Sequence, residues 1–301
     1  MGHVGSGRHV WVNGLHSALV LAAMGGVLAV LGWLLGGRAL MVSALVVGAG
    51  VAVAVPRMPS RFLLRRCGAR YLAATDAPEL HFVLGELARR AGLPATPPLF
   101  LIPSAKVNAF TVGKRGDMSV ALTDGLVRGM TSRELAAVLA HEVSHVRHND
   151  VGVMALAQLL TRFSRFLSIL GQIILVVNLP FVLLSRPALS WFTVFALILS
   201  PTLMAFLQLM LSRVREFDAD RGAADLTGDP EGMAMALEKI ERDESRPAGH
   251  PFSLRHLLGI LVFRTHPRTD ERIRRLAVLA LSLELRGEAW EGADSVPRSV
   301  V

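Results

Sequence analysis

Thr131-Ser132-Arg133-Glu134-Leu135-Ala136-Ala137-Val138-Leu139-Ala140-His141-Glu142-Val143-Ser144-His145-Val146 is the stretch whose reading decides the rest. Thr131 and Glu134 have capping-box spacing, in which each side chain satisfies a backbone N–H that the first helical turn leaves open. Behind them Leu135, Val138, Leu139, Glu142 and Val146 recur at helical spacing. His141 and His145 therefore share one helix face, and both imidazoles reach a single ion. Zinc suits nitrogen and carboxylate donors and keeps a fourth position open in catalytic sites. Glu142 lies one residue round from His141, where it reaches a zinc-bound water without ligating the metal. There it would take the water's proton and pass it to a departing amine. A surface helix carrying two solvated histidines is the competing reading of this stretch taken alone.

Composition narrows the choice. The one cysteine, Cys67, excludes an intramolecular disulfide and a thiolate-based metal site, so any ligands are His, Glu or Asp. Apolar residues make up 52% of the 301 positions, more than an ordinary soluble domain carries, which predicts membrane spans. The formal charge of +8 suits nucleic acid or an anionic membrane surface. Long apolar runs favour the lipid bilayer as partner, and no nucleic-acid recognition module is present in the sequence.

Four such runs are visible: Ser17 to Gly37, Ala39 to Pro56, Phe166 to Ser185 and Pro187 to Ser212. Each is about long enough to cross ~30 Å of hydrocarbon. Arg38 and Arg186 are the only breaks within each pair, which predicts two tight hairpins. A cleaved signal peptide competes for the first run, but a second run follows at once. Two buried soluble helices compete for the later pair, against its uninterrupted length and flanking arginines. Pro201 should kink the last run. Arg57, Arg61, Arg65, Arg66 and Arg70, and later Arg213 and Arg215, crowd the span exits, so the positive-inside rule puts both termini in the cytoplasm.

The expected organisation is a transmembrane hairpin at 1–56, a cytoplasmic segment at 57–165, a second hairpin at 166–212, a second cytoplasmic segment at 213–287 and a disordered tail at 288–301. The two cytoplasmic segments would meet as one α+β, mainly helical domain with a small β-sheet. Its expected elements are a helix capped by Asp76 and Glu79, strands at Leu99–Ile102, Val107–Val112 and Met118–Thr123, and a turn at Lys114–Asp117. After the fourth run a new helix is expected to carry Glu216 and Asp220, again four apart. One carboxylate could ligate zinc while the other orients a ligand imidazole. An exposed acidic face balancing Arg213, Arg215 and Arg221 is the alternative. Asp150 is expected to cap or brace the active-site helix, and His148 is a further ligand candidate of low rank.

Four motifs then act together: Asn108-Ala109-Phe110; His141-Glu142-x-x-His145 followed by Asp150; Ser212-Arg213 leading to Glu216-x-x-x-Asp220; and Thr265-His266-Pro267 leading to Glu271-Arg272-Ile273. In their order and spacing the chain resembles the HtpX family of membrane-integrated zinc metalloproteases, relatives of the CAAX prenyl endopeptidases, from about Tyr71 to Leu276. The resemblance implies a zincin-type domain holding one zinc ion per chain through His141, His145 and Glu216. It implies Glu142 as catalytic base, Asp220 as partner of a ligand histidine, and Asn108, Ala109 and Phe110 as the edge strand beside which substrate lies. His266 and Arg272 match a pair that supports the oxyanion, with a simple helix-start role before Pro267 as the alternative for His266. Thr111-Val112-Gly113 departs from the family pattern.

The activity implied is an inner-membrane, multi-pass endopeptidase with a cytoplasmic active site, cleaving misfolded or damaged membrane proteins as part of a stress response. An inactive scaffold is the first rival, but it would have lost Glu142 or a ligand. A transporter is the second, yet the spans hold little polar beyond Gln172, Asn178 and Gln208. A prenyl-protein endopeptidase is the third, and four spans are few to enclose its chamber.

Overall fold

The computed structural model describes residues 4–54, 59–114, 116–183, 191–244 and 269–284. In chain order the elements are α1 (Val4–Ala54), α2 (Ser60–Arg66), β1 (Arg70–Tyr71), α3 (Pro78–Arg90), β2 (Leu99–Ile102), β3 (Ala109–Lys114), β4 (Asp117–Thr123), α4 (Asp124–Gly129), α5 (Ser132–His148), α6 (Asp150–Leu183), α7 (Trp191–Thr227), α8 (Pro230–Glu244) and α9 (Thr269–Glu284). They form two compact units, one from residues 1–56 and 153–214, the other from 57–152 and 215–301. The tail at 288–301, Arg186 and His266 lie outside the described residues.

Among the described residues, three helices are long and apolar enough to cross a membrane: Gly14–Ala54, Asp150–Val177 and Phe192–Thr227. The first is not a single rod. Gly36 and Gly37 leave the helical backbone, and Gly37 takes a φ of 63° that glycine adopts without steric cost. A Cβ on Gly32 would stand 2.8 Å from Met41 Cα. In a straight helix those residues would be separated by about 13 Å of rise, so the two arms of α1 fold back on each other.

Inside the first unit, Met24, Leu28 and Leu31 pack with Ala157, Leu160, Leu167, Leu197, Met204 and Leu211. Its outer surface is apolar too, with Leu19, Val46, Val176 and Phe195 exposed. Such a surface suits lipid as solvent. Two of the polar groups inside bond to backbone: Thr161 donates to the Ala157 carbonyl, and Ser168 to that of Leu197. α7 runs unbroken through Pro201.

The second unit is built on a four-stranded sheet in the order β1-β2-β4-β3, with β2 and β4 parallel and the other pairs antiparallel. Alternation splits its side chains between two cores. Leu99, Leu101, Val120 and Leu122 face a core with Leu84, Val138, Leu139 and Val143 of α3 and α5. Phe100, Ile102 and Ala121 face Leu64 of α2. The three expected strands are present, with β3 beginning two residues later than its apolar pattern suggests. β1 and α2 were not foreseen, being too short to show a period. α3 opens with Pro78 at its first position after Ala77, so Asp76 lies outside the cap expected of it. Two further boundaries differ from the sequence reading. α6 begins at Asp150, ahead of the apolar run, and Glu216 and Asp220 lie on the continuation of α7 instead of on a new helix.

Candidate metal centre and active site

The expected capping box is present at the start of α5: Thr131 accepts from the Glu134 N–H, and the Thr131 N–H donates to Glu134 Oε2 at 2.7 Å. Glu134 is fixed further by Lys239 of α8 at 2.6 Å. At the other end Asn149 takes a left-handed conformation, φ 57°, which stops α5 and lets Asp150 start α6. α7 lies close against α5 because position 222 is glycine; a Cβ there would collide with Ser144 Oγ. That approach brings Glu216 to the two histidines.

The three donors form a small triangle. His141 Nε2 is 3.2 Å from His145 Nε2 and 3.4 Å from Glu216 Oε2, and His145 Nε2 is 3.8 Å from Glu216 Oε1. Among the described residues, His141, His145 and Glu216 form the group of donors able to hold a metal ion. An ion bound tetrahedrally at ~2.0–2.1 Å sets neighbouring donors about 3.4 Å apart, so the triangle has the right size.

Behind each imidazole stands a carboxylate and then a guanidinium. His141 Nδ1 is 3.0 Å from Asp220 Oδ1, and Arg272 donates to Asp220 through Nε and Nη2 at 2.7 and 2.6 Å. Arg272 Nη1 also lies 3.0 Å from Glu216 Oε2. On the other side His145 Nδ1 is 3.1 Å from Asp150 Oδ2, and Arg215 donates to Asp150 Oδ1 at 2.6 Å. A carboxylate at Nδ1 fixes the tautomer that leaves Nε2 for metal.

Charge tells the same story. Glu142, Asp150, Glu216 and Asp220 are all buried, against two guanidinium groups from Arg215 and Arg272. With neutral imidazoles the cluster is net negative, as a site for a divalent cation should be. In the metal-free cluster burial works against a charged His141, but Asp220 and Glu216 outweigh it and push its pKa up to about 10, so a bound cation would take the place of that proton. Asp220 is held below the usual carboxylate range: burial pushes it up, and Arg272 and His141 more than reverse that.

Comparison with known proteins places the chain in a family. Residues 74–280 match the peptidase family M48. A protease HtpX homolog of Ralstonia pickettii is 33% identical over 287 residues, covering 89% of this chain and 97% of that protein. Homologs from Paraburkholderia phytofirmans and Ralstonia nicotianae match with the same identity and coverage. The chain belongs to the HtpX family of M48 peptidases. It is a membrane metalloprotease, since M48 enzymes depend on metal and three of its helices suit a bilayer.

In this HtpX-family chain the remaining candidates fall in distinct places. Glu142 is buried at 7% exposure and accepts from Thr111 Oγ1 of β3 at 2.7 Å. β3 is an edge of the described sheet; Asn108, just before it, donates its N–H to Thr123 Oγ1 at 2.9 Å. Phe110 packs in the core on the α2 side and Ala109 against the opposite core. Arg272 is 5% exposed, with each guanidinium nitrogen facing Asp220 or Glu216. Asp150 braces His145 instead of capping α5, and His148 turns its Nδ1 toward Ser144 Oγ at 3.4 Å. Sequence reasoning did not find the Thr111 and Arg215 contacts. Their partners are 31 and 65 residues away, and no local pattern announces such pairings.

Proposed function

We propose that this chain is a zinc-dependent endopeptidase of the inner membrane that cleaves peptide bonds in misfolded or damaged membrane proteins from the cytoplasmic side. The observation that carries the reading is the His141–His145–Glu216 triangle with Glu142 beside it on the same helix. Two nitrogens and a carboxylate oxygen suit zinc among the divalent ions. When bound, the ion supplies Lewis acidity toward water and the scissile carbonyl. Glu142 takes a proton from the attacking water as its oxygen bonds to the carbonyl carbon. The same carboxyl then delivers that proton to the amine nitrogen as the C–N bond breaks.

Substrate lies extended beside β3, held through backbone hydrogen bonds with little dependence on sequence, as quality control of many proteins requires. Asp220 and Asp150 orient the ligand imidazoles. Arg272, engaged with two carboxylates, positions the ligand Glu216, and to His266 the family resemblance assigns support of the developing oxyanion. Segments 57–165 and 213–287 are cytoplasmic by the excess of arginine at the span exits, with hairpins at 1–56 and 166–212 in the bilayer.

The test is purification in detergent with chelator, followed by metal return and an unstructured protein as substrate. Wild type should cleave after zinc is added, bind one zinc per chain, and lose cleavage in Glu142→Gln while keeping the metal. Equal cleavage by Glu142→Gln, or a different metal recovered from mild purification, would overturn this reading.

A further inference from the structure

Among the described residues, Glu142 is reached by one hydroxyl from outside the metal cluster, that of Thr111 at 2.7 Å from Oε2. Thr111 pairs with Val120 of β4, in the middle of a ladder that runs from Ala109 to Lys114. Its neighbours Phe110 and Val112 point into the core beside Leu64. Strand alternation therefore turns Thr111 to the opposite face, toward α5. A β-branched side chain has little freedom about χ1, so the ladder that fixes the backbone also fixes the hydroxyl. A hydroxyl donating to an ionised, buried carboxylate makes a short, charge-assisted bond.

We propose that Thr111 is a positioning residue for the catalytic base, tying one oxygen of Glu142 to the edge strand so that the other is presented to the attacking water. This rests on the reading of Glu142 as the base. Without the tie, the carboxylate can turn about its side-chain torsions, and misplacement of a reacting group by ~1 Å costs up to 100-fold in rate. The strand that would receive the peptide backbone is also the strand that holds the base. A peptide paired along β3 is thereby set in register with the group that acts on it.

The experiment compares Thr111→Val, Thr111→Ser and Glu142→Gln in the full chain in detergent, with a fluorogenic peptide. Thr111→Val keeps shape and removes the donor; it should lower kcat roughly 10-fold, within the range for a misplaced base. KM, zinc content and thermal midpoint should stay at wild-type values. Binding of the uncleaved peptide to metal-free protein should also be unchanged. Thr111→Ser should recover kcat to within about 3-fold of wild type because it keeps the hydroxyl. Wild-type kcat in Thr111→Val beside an inactive Glu142→Gln would overturn this inference alone. Activity in Glu142→Gln would overturn the reading beneath it. Loss of zinc, peptide binding or thermal stability in Thr111→Val, or no recovery in Thr111→Ser, would mean a packing role and overturn the inference as well.

Discussion

His141 and His145 present the same atom to the same space, yet they are steadied differently. Each is followed by a carboxylate and a guanidinium: Asp220 and Arg272 behind His141, Asp150 and Arg215 behind His145. On the His141 side the guanidinium also reaches the third donor, Glu216, at 3.0 Å. On the His145 side it reaches Asp150, one step removed from a donor. The lesson is that two chains of the same chemistry need not carry the same share of the site. Arg272 comes from α9, near the end of the described residues, and draws that helix into the centre; Arg275 of the same helix lies over the Phe217 ring of α7 at 3.7 Å.

The largest expected effect tests the point where the chains meet. Glu216→Gln should weaken metal binding by more than the ~10–100-fold typical of outer partners, read by competition with a zinc-sensitive dye. Near-normal binding would break the comparison, because Glu216 would then not be a donor. Next come the guanidinium groups. Removing one partner of a buried ion pair costs about 3–5 kcal/mol, so Arg272→Met and Arg215→Met should both lower the thermal midpoint. Arg272→Met should lower metal affinity more, since it frees Glu216 as well as Asp220. Equal losses would show that the extra contact to Glu216 is idle.

Smaller effects sharpen the picture. Asp220→Asn and Asp150→Asn should each weaken metal binding by ~10–100-fold while leaving the fold intact. Similar values would locate the difference in the guanidinium layer, and a larger loss for Asp220→Asn would locate it one layer nearer the metal. Glu134→Gln is a control outside both chains. Burial pushes the Glu134 pKa up, but Lys239 and the Thr131 N–H outweigh it and hold the carboxyl below its usual 4.5. Its stabilisation is therefore complete above about pH 4.5 and is lost as pH falls through the lower folded value. In thermal melts of metal-free protein, wild type should exceed Glu134→Gln by about 1 kcal/mol at pH 7, with the gap closing on acidification. Metal affinity at pH 7 should not change.

Much of this centre was legible before any fold was known. Capping chemistry is local, so Thr131 and Glu134 announced the start of α5, and a four-residue spacing put two imidazoles on one face. The same spacing marked Glu216 and Asp220, although the helix carrying them was misread as new. Charge seemed to mark a boundary at Arg213, while the backbone simply continued. Asp76 misled in the opposite sense: its capping pattern lost to Pro78, whose fixed φ suits the first helical position. β1 and α2 escaped notice because two strand residues, or two turns of helix, hold too few positions to show a period.

The sequence by itself determined the chemical inventory, the apolar runs and the helix faces, because hydropathy, capping and period act over a few neighbouring residues. Tertiary structure alone decided who stands behind whom: Arg215 on Asp150, Arg272 on both Asp220 and Glu216, Thr111 on Glu142. Those pairings join residues far apart in the chain, and their strength depends on burial and on distances that only packing sets. A carboxylate four residues from another can be a solvated surface group or a metal ligand. Close approach of α7 to α5 at Gly222 is what brings Glu216 within reach of both imidazoles.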